Sequence, residues 1–579
     1  MQRQRTGLIA IIGCVAALAV QAASGASPLA DAVMYGDDAG ARALLRLPVN
    51  VNEPQVDGAT ALHWAVFRDD VELVRLLLSR GADAHARNND GASALSLAAT
   101  NGDPKVIALL LAAGADANER LGHGETPLMF AARSGRVEAI QVLLDHGAKV
   151  NAVESLRGTT ALMWAASNRN AAAVRLLTRH GADASLASAA APLGHQPYLA
   201  ETAKDRIEAD RLGVGQAGRA VPVNLDGDEP DPPEAAGLAA DVIAAASGTG
   251  VPAPTGVLAP RKNDTRGGGL TALVFAVREG DTESVKALLA AGADVNQVTH
   301  YGWTALLVAT QNRHYQLGKL LLEKGADPRI ANQGGWTPLY IATDNRNIEG
   351  GDYPTRKPDM DHLEYIRLLL DKGAEPNARM HSSTETRTIF THQWLHENGA
   401  TAFLRAAQSG DLVLMKLLLQ RGAEPKLVTD HGVTPLMVAA GIGWVEGVTF
   451  EWSPQQTLDT VRFLIDLGAD VNARDIVDGR TALMGAAHKG RNDVVQLLVE
   501  HGADLATRDI GSRDSIHKLA GTTWMALDYA DGLVRIGVQS AIPHPDTAKL
   551  IRSYMAARNL PVPPEGRTLD SICLTQLCK

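Results

Sequence analysis

Apolar positions fall in pairs of short helical runs along most of this chain. Between Thr60 and Asp83, Leu62, Ala65 and Val66 recur at the spacing of one helix face. After a polar break, Val71, Val74, Leu76, Leu77 and Leu78 form a second run. Thr60 stands where an N-cap hydroxyl accepts a free backbone N–H, and Asp57-Gly58 ahead of it is a tight-turn pair. Gly81 follows the second run, where a left-handed residue ends a helix. The pattern predicts two short helices joined to the next pair by a hairpin. One such pair cannot bury its own apolar faces, so copies must stack.

The copies are there. A Gly-Ala-Asp, Gly-Ala-Glu or Gly-Ala-Lys phrase has its Gly at 81, 114, 147, 181, 292, 325, 373, 422, 468 and 502, with spacings of 33, 33, 34, 111, 33, 48, 49, 46 and 34. Thr60, Ser93, Thr126, Thr160, Thr271, Thr304, Thr401 and Thr481 each lie 21 residues before their Gly. Thr126-Pro127 adds a proline at the first helical position, where its missing N–H costs little. Both ends read as degenerate capping pairs: Ser27-Pro28-Leu29 with Ala43-Leu44-Leu45, and Thr523-Trp524-Met525-Ala526-Leu527 with Lys549-Leu550-Ile551. The total is about twelve helix pairs, an all-α solenoid.

Asp57-Gly58, Thr60-Ala61-Leu62-His63, Leu76-Leu77 and Gly81-Ala82-Asp83 resemble the ankyrin repeat, and Gly432-Val433-Thr434-Pro435-Leu436 is a near match. The resemblance covers most of residues 27 to 555 outside the insertions and is similar to exported bacterial-type members. It implies a non-catalytic array that holds a protein along its concave face. His63 alone supplies the family's motif histidine, so the resemblance implies looser hydrogen bonding at the other turns.

Excess spacing locates four insertions. Between Gly181 and Thr271 stand 78 extra residues, rich in Ala, Pro and Gly with an acidic run over 226–231. This reads as a disordered excursion that either splits the array or loops out of it. Fifteen residues extend the repeat after Thr337, 16 lengthen the hairpin before Thr401, and 13 extend the repeat after Thr434. The first and third of these lie on one edge, two repeats apart. At ~10 Å per helix pair they stand ~20 Å apart, placed to frame the repeat between them.

The N-terminus has a different pattern. Arg3 and Arg5 precede an apolar stretch from Leu8 to Val20, and small residues follow at 22–26. This is the order of a cleaved secretory signal, giving a mature chain that begins between residues 23 and 27 in the periplasm or outside the cell. Ile11-Ile12-Gly13-Cys14 also resembles a lipobox, the competing reading. No other run is long enough to span a bilayer. Export makes Cys573 and Cys578 a candidate disulfide. The expected domains are a signal peptide (1–26), repeats (27–186), the excursion (187–267), repeats with insertions (268–555) and a tail (556–579).

Charge and chemistry narrow the function. The 55 Lys and Arg against 65 Asp and Glu leave −10, without the basic field that holds a nucleic-acid backbone. Aromatic residues are only 4%, so the core must be built from closely packed Ala and Leu. His392 and His396 have helical metal-ligand spacing, but Gln393 stands where a zinc-hydrolase motif needs Glu. No nucleophile elbow, phosphate loop or dinucleotide fingerprint appears. The expectation is therefore no enzyme, cofactor or metal.

Six of the eight Trp lie after residue 300. Trp303 and Trp336 each directly precede a capping Thr, which places them on neighbouring hairpin tips. With Tyr301, Tyr353, Arg356, Trp394, Trp444 and Trp452 they form the expected partner-binding surface, rich in the residue types that dominate interfaces. Trp64 and Trp164, on first helices, read as semi-buried packing. The expected molecule is a monomeric scaffold for another protein. The alternative is an enzyme or ligand-binding protein whose site is formed by 345–360, 383–398 and 443–456.

Overall fold

The structure, a computed structural model, describes residues 27–189, 268–347, 357–381, 395, 397–445, 449–511, 523–534 and 542–567. Among them are 24 helices in twelve consecutive pairs, numbered here repeats 1 to 12, with isolated bridges and no strand. Repeat 2 comprises Ala61–Phe67 and Val71–Ser79. Its first helix buries Leu62, Ala65 and Val66. Its second buries Leu73, Val74 and Leu77, while Val71, Leu76 and Leu78 are half-buried, a small rotation from the face expected.

Caps form as the capping residues dictate. The hydroxyls of Thr160, Thr271 and Thr304 accept from backbone N–H groups three residues on, at 3.2–3.4 Å. At Thr60 the bond runs the other way, the backbone N–H donating to His63 Nδ1 at 3.1 Å, while Nε2 lies 3.2 Å from the Ala92 carbonyl of the next repeat. Burial lowers the His63 pKa below its ordinary value, against the raising effect of the Ala92 carbonyl. Ser96 takes this place in repeat 3, donating to the Ser93 carbonyl and accepting from the Ser93 N–H. The last first helix runs over Ala526–Ala530 behind Met525, within the terminal pair expected there.

Neighbouring repeats are stitched at the loops. Asn118 donates from Nδ2 to the Gly147 carbonyl at 2.9 Å and accepts from Lys149 N at 2.7 Å. Asn52, Asn151, Asn296, Asn377 and Asn472 make the same two-way bond to the following repeat. First helices lie closer to their neighbours than second helices do across most of the stack, so the array curves toward the first helices.

The stack is continuous across the long insertion. The first helices of repeats 5 (Ala161–Ser167) and 6 (Ala272–Arg278) pack together, as do the second helices. Ser188 N donates to Leu270 O at 2.9 Å, Gly269 N donates to Ala189 O at 3.1 Å, and Gln297 Nε2 donates to Ser185 O at 2.8 Å. Residues 190–267 thus leave and rejoin at one hairpin, and one core runs from Leu29 to Met555.

Candidate functional site

The inner face is set by two register positions, four and seven residues after each capping residue. In repeats 2 to 5 the first position holds Trp64, Leu97, Phe130 and Trp164, all half-buried. The second holds Phe67, Thr100 and Arg133, all exposed, Phe67 at 61%. Tyr35, at the end of the first helix of repeat 1, is 79% exposed. Phe67 meets Trp64 edge-on at 5.8 Å, and Phe130 meets Trp164 edge-on at 5.6 Å. The Arg133 guanidinium lies over both of the latter rings, 5.7 Å and 5.6 Å from their centroids. Indole N–H groups are satisfied within the repeat: Trp164 donates to Thr159 Oγ1 at 2.8 Å, and Trp64 donates to Gln55 Oε1. The rings therefore sit fixed with their outer faces uncovered.

From repeat 7 onward the first position is closed, and the second is closed from repeat 8 to repeat 11, Gln311 of repeat 7 being half-buried. Val308, Ile341, Arg405 and Val438 are buried at the first, and Asp344, Gln408 and His488 at the second. Here the face carries a neutralised polar lattice. Arg405 Nε donates to Asp344 Oδ1 at 2.8 Å, and its other nitrogens donate to Ser409 Oγ and Asn347 O at 3.0 and 2.9 Å. Arg346 forks onto Asp411 at 2.7 and 3.3 Å.

The insertion after Thr434 reaches back over two repeats. Trp452 N donates to Ser409 O at 3.2 Å, and its indole N–H donates to Asn347 Oδ1 at 2.9 Å. The Arg346 guanidinium lies 4.5 Å from the Trp452 ring centroid. Next to it, Glu451 pairs with Lys489 at 3.2 Å and Arg491 at 2.7 Å. Burial raises the Glu451 pKa, but these two cations and a Thr457 hydroxyl outweigh it and hold the carboxyl below its usual range. Burial lowers Lys489, whose ammonium also lies over the Trp444 ring at 5.6 Å. Asn347 is the last described residue before the insertion after Thr337, so the third insertion meets the base of the first.

The expected partner surface divides accordingly. Trp303, Trp336 and Tyr301 are only 1%, 4% and 4% exposed, which corrects the expectation that the two Trp stand out at the hairpin tips. The position before the cap is buried in most repeats. Ala59, Thr159, Leu270, Ala400, Val433, Arg480 and Trp524 are buried there, Ala92 and Glu125 are half-buried, and repeats 7 and 8 fill it with indole. Its occupants are both apolar and polar, so the sequence carried no clear signal of burial. Trp336 packs edge-on against Tyr340 at 4.9 Å, and Gln333 N donates to Tyr301 O at 3.0 Å, tying the two hairpins together. Trp444 is half-buried and Trp452 is 38% exposed. Tyr353, Arg356, Trp394, His392, His396, Cys14, Cys573, Cys578 and the signal segment lie outside the described residues. Trp64 and Trp164 are half-buried, as their place on first helices implies, and the sequence carries no signal that sets Tyr35, Phe67 and Phe130 beside them.

Among the described residues no three His, Cys, Asp or Glu side chains gather to hold a metal ion. Among the same residues no helix is long and apolar enough to cross a membrane.

Helix pairs, hairpins and inner face define a stacked-repeat protein. The family model for ankyrin repeats (3 copies) matches residues 10–88, 29–120, 95–188, 256–332, 273–380 and 403–509, well over half of the chain. The chain belongs to the ankyrin-repeat family. It is 31% identical over 200 residues to the B-cell lymphoma 3 protein homolog of Mus musculus, covering 34% of this chain and 37% of that protein. It is 39% identical over 105 residues to ankyrin repeat domain-containing protein 63 of Mus musculus, covering 17% and 24%. It is 29% identical over 157 residues to the ankyrin repeat and KH domain-containing protein CBG24701 of Caenorhabditis briggsae, covering 24% and 5%. The chain thus spans less than two fifths of the length of these relatives. Its repeats are of the protein–protein interaction kind.

Proposed function

We propose that the chain is an exported, monomeric, non-catalytic scaffold that holds a protein partner along the inner face of repeats 1 to 5. The observation that carries this reading is the contrast along one array. From Tyr35 to Trp164 the inner positions hold two exposed rings, Tyr35 and Phe67, and three half-buried ones, Trp64, Phe130 and Trp164, whereas from Val308 to His488 they are mostly buried, with Arg405 and Asp344 paired. Rings left partly open along one face mark interaction surfaces, and a few such residues dominate binding. Among the described residues, inward-facing charges of the later repeats are paired with one another, Arg346 with Asp411 and Arg405 with Asp344. Export rests on the order of Arg3, Arg5, the apolar stretch from Leu8 and the small residues at 22–26.

The test is capture of partners from a periplasmic extract by the mature chain, compared with Phe67→Ala and Trp164→Ala. Phe67 is exposed, so its removal leaves the fold intact. Partners retained by the parent and lost by both variants support the reading. Partners retained equally by all three place the surface elsewhere.

A further inference from the structure

We infer that the partner segment held on this face is acidic, with an Asp or Glu side chain seated on Arg133 and a large apolar side chain about six residues away on Phe67. This rests on the scaffold reading above and specifies its ligand.

Arg133 is the charged member of the outer register row Phe67, Thr100, Arg133, which occupies equivalent places in repeats 2, 3 and 4. Its guanidinium is held by two rings, Phe130 of its own repeat and Trp164 of the next. Among the described residues no carboxylate pairs with it, whereas Arg68 in the same face is paired with Asp38 at 3.0 Å and bonded to the Val33 carbonyl. A guanidinium lying over aromatic faces keeps its N–H edges free for a carboxylate, which it grips in bidentate fashion. Pre-positioning by the rings removes part of the entropy that binding would otherwise cost.

The surroundings favour the same sign. Residues 155–182 contain Arg157, Arg169, Arg175 and Arg179 and no Asp or Glu, within a chain of net charge −10. The overall negative charge is screened beyond about 10 Å in physiological salt, so this local field governs docking. Of these arginines, Arg175 lies 4.0 Å from Glu283; a lysine-rich segment would meet the remaining ones, which pair with no carboxylate among the described residues, and be repelled.

Spacing then sets the pattern of the segment. Phe67 and Arg133 are two repeats apart, roughly 20 Å at ~10 Å per helix pair. An extended chain covers that distance in about six residues at ~3.3 Å each. Thr100, between them, is small and exposed, leaving room for backbone to pass.

The probe is a panel of labelled twelve-residue peptides with Glu and Phe six positions apart, in both orders. A second panel has Lys in place of Glu, and a third has Ala in place of Phe. Binding to the full mature chain is read by fluorescence anisotropy at two salt concentrations. The expected result is that only Glu–Phe peptides bind. Arg133→Ala and Arg133→Lys each weaken them tenfold or more, and Arg133→Glu reverses the preference toward Lys. Phe67→Ala should weaken binding while keeping the Glu-over-Lys preference. Equal binding of the Glu and Lys panels, no binding of the Glu–Phe panel, or unchanged affinity in Arg133→Ala overturns the inference. If extract partners are lost from Phe67→Ala and Trp164→Ala but kept by Arg133→Ala, the scaffold reading stands and the acidic-segment inference falls.

Discussion

The ring of Trp452 lies 4.5 Å from the Arg346 guanidinium, although the two residues belong to repeats 10 and 8. Arg346 is also forked onto Asp411 of repeat 9, so three repeats share one contact. Repeat arrays are held chiefly by contacts between neighbours, and this contact braces the stack across a next-nearest pair.

Removing either partner should therefore loosen repeats 8 to 10 together. Trp452→Ala is expected to cost about 1–2 kcal/mol, since the ring is partly exposed. Arg346→Ala should cost about 3–5 kcal/mol, because it strands the buried Asp411 carboxylate. The double variant should fall short of the sum by about 1 kcal/mol, measured by denaturant unfolding. Strict additivity would show that the cation–ring contact contributes nothing.

The buried hairpin indoles give a second expectation. Trp336→Ala and Trp303→Ala should each lower stability by about 3–5 kcal/mol through the cavity left behind. Trp303→Phe should cost clearly less than Trp303→Ala, because the phenyl ring refills much of the cavity, while both substitutions remove an indole N–H that is buried without a hydrogen-bond partner. Thermal melts of the three variants check this. An unchanged melting temperature in the alanine variants, with loss of partner binding, would return these rings to the surface role.

His362 gives a pH dependence with a definite sign. The Tyr315 hydroxyl and its Nδ1 share a hydrogen bond at 2.9 Å, and burial, with the Arg313 and Arg346 cations, lowers its pKa to about 4. The native state then binds fewer protons than the unfolded chain, whose His titrates near 6.5. Its contribution is complete above pH 6.5 and is lost as pH falls from 6.5 toward 4. His362→Gln keeps an acceptor for Tyr315 but does not titrate. The difference in melting temperature between parent and variant should shrink across that interval. A constant difference would show that His362 does not titrate on unfolding.

The turn between the two helices supplies a small stabilising change. Nine residues after most caps the backbone is left-handed: Gly102, Gly135, Gly280 and Gly490 take it freely, while Arg169 is held at φ 60°. Arg169→Gly should stabilise by roughly 0.5 kcal/mol, the net of relieved strain and greater chain entropy. The converse, Gly135→Ala, should destabilise, since its Cβ would lie 2.5 Å from Asn170 Oδ1. Urea midpoints of the two variants should move in opposite directions.

How far the chain could be read in advance depended on whether a feature repeats. The capping Thr or Ser, the apolar helix positions after it and the closing Gly recur with the same spacing eight times, so local capping and helix periodicity alone determined the helix pairs and the need to stack. The Asn118 bridge to Gly147 and Lys149 follows from the same spacing. What recurs nowhere was not legible. Trp303 and Ala59 occupy one inward position, and only packing reveals that it is a hole of variable size rather than a tip. Trp452 meets Arg346 across 106 residues, a pairing set by how an insertion folds back on the stack and by no local rule. Openness of the inner face is likewise a property of what lies above it. Trp64 and Ile341 hold the same register on their helices, and the first is half-buried while the second is buried. Sequence by itself determined the repeating unit, because capping and periodicity act over a few residues. Only the tertiary structure decided which copies stay uncovered, because burial is the sum of contacts from segments far apart in the chain.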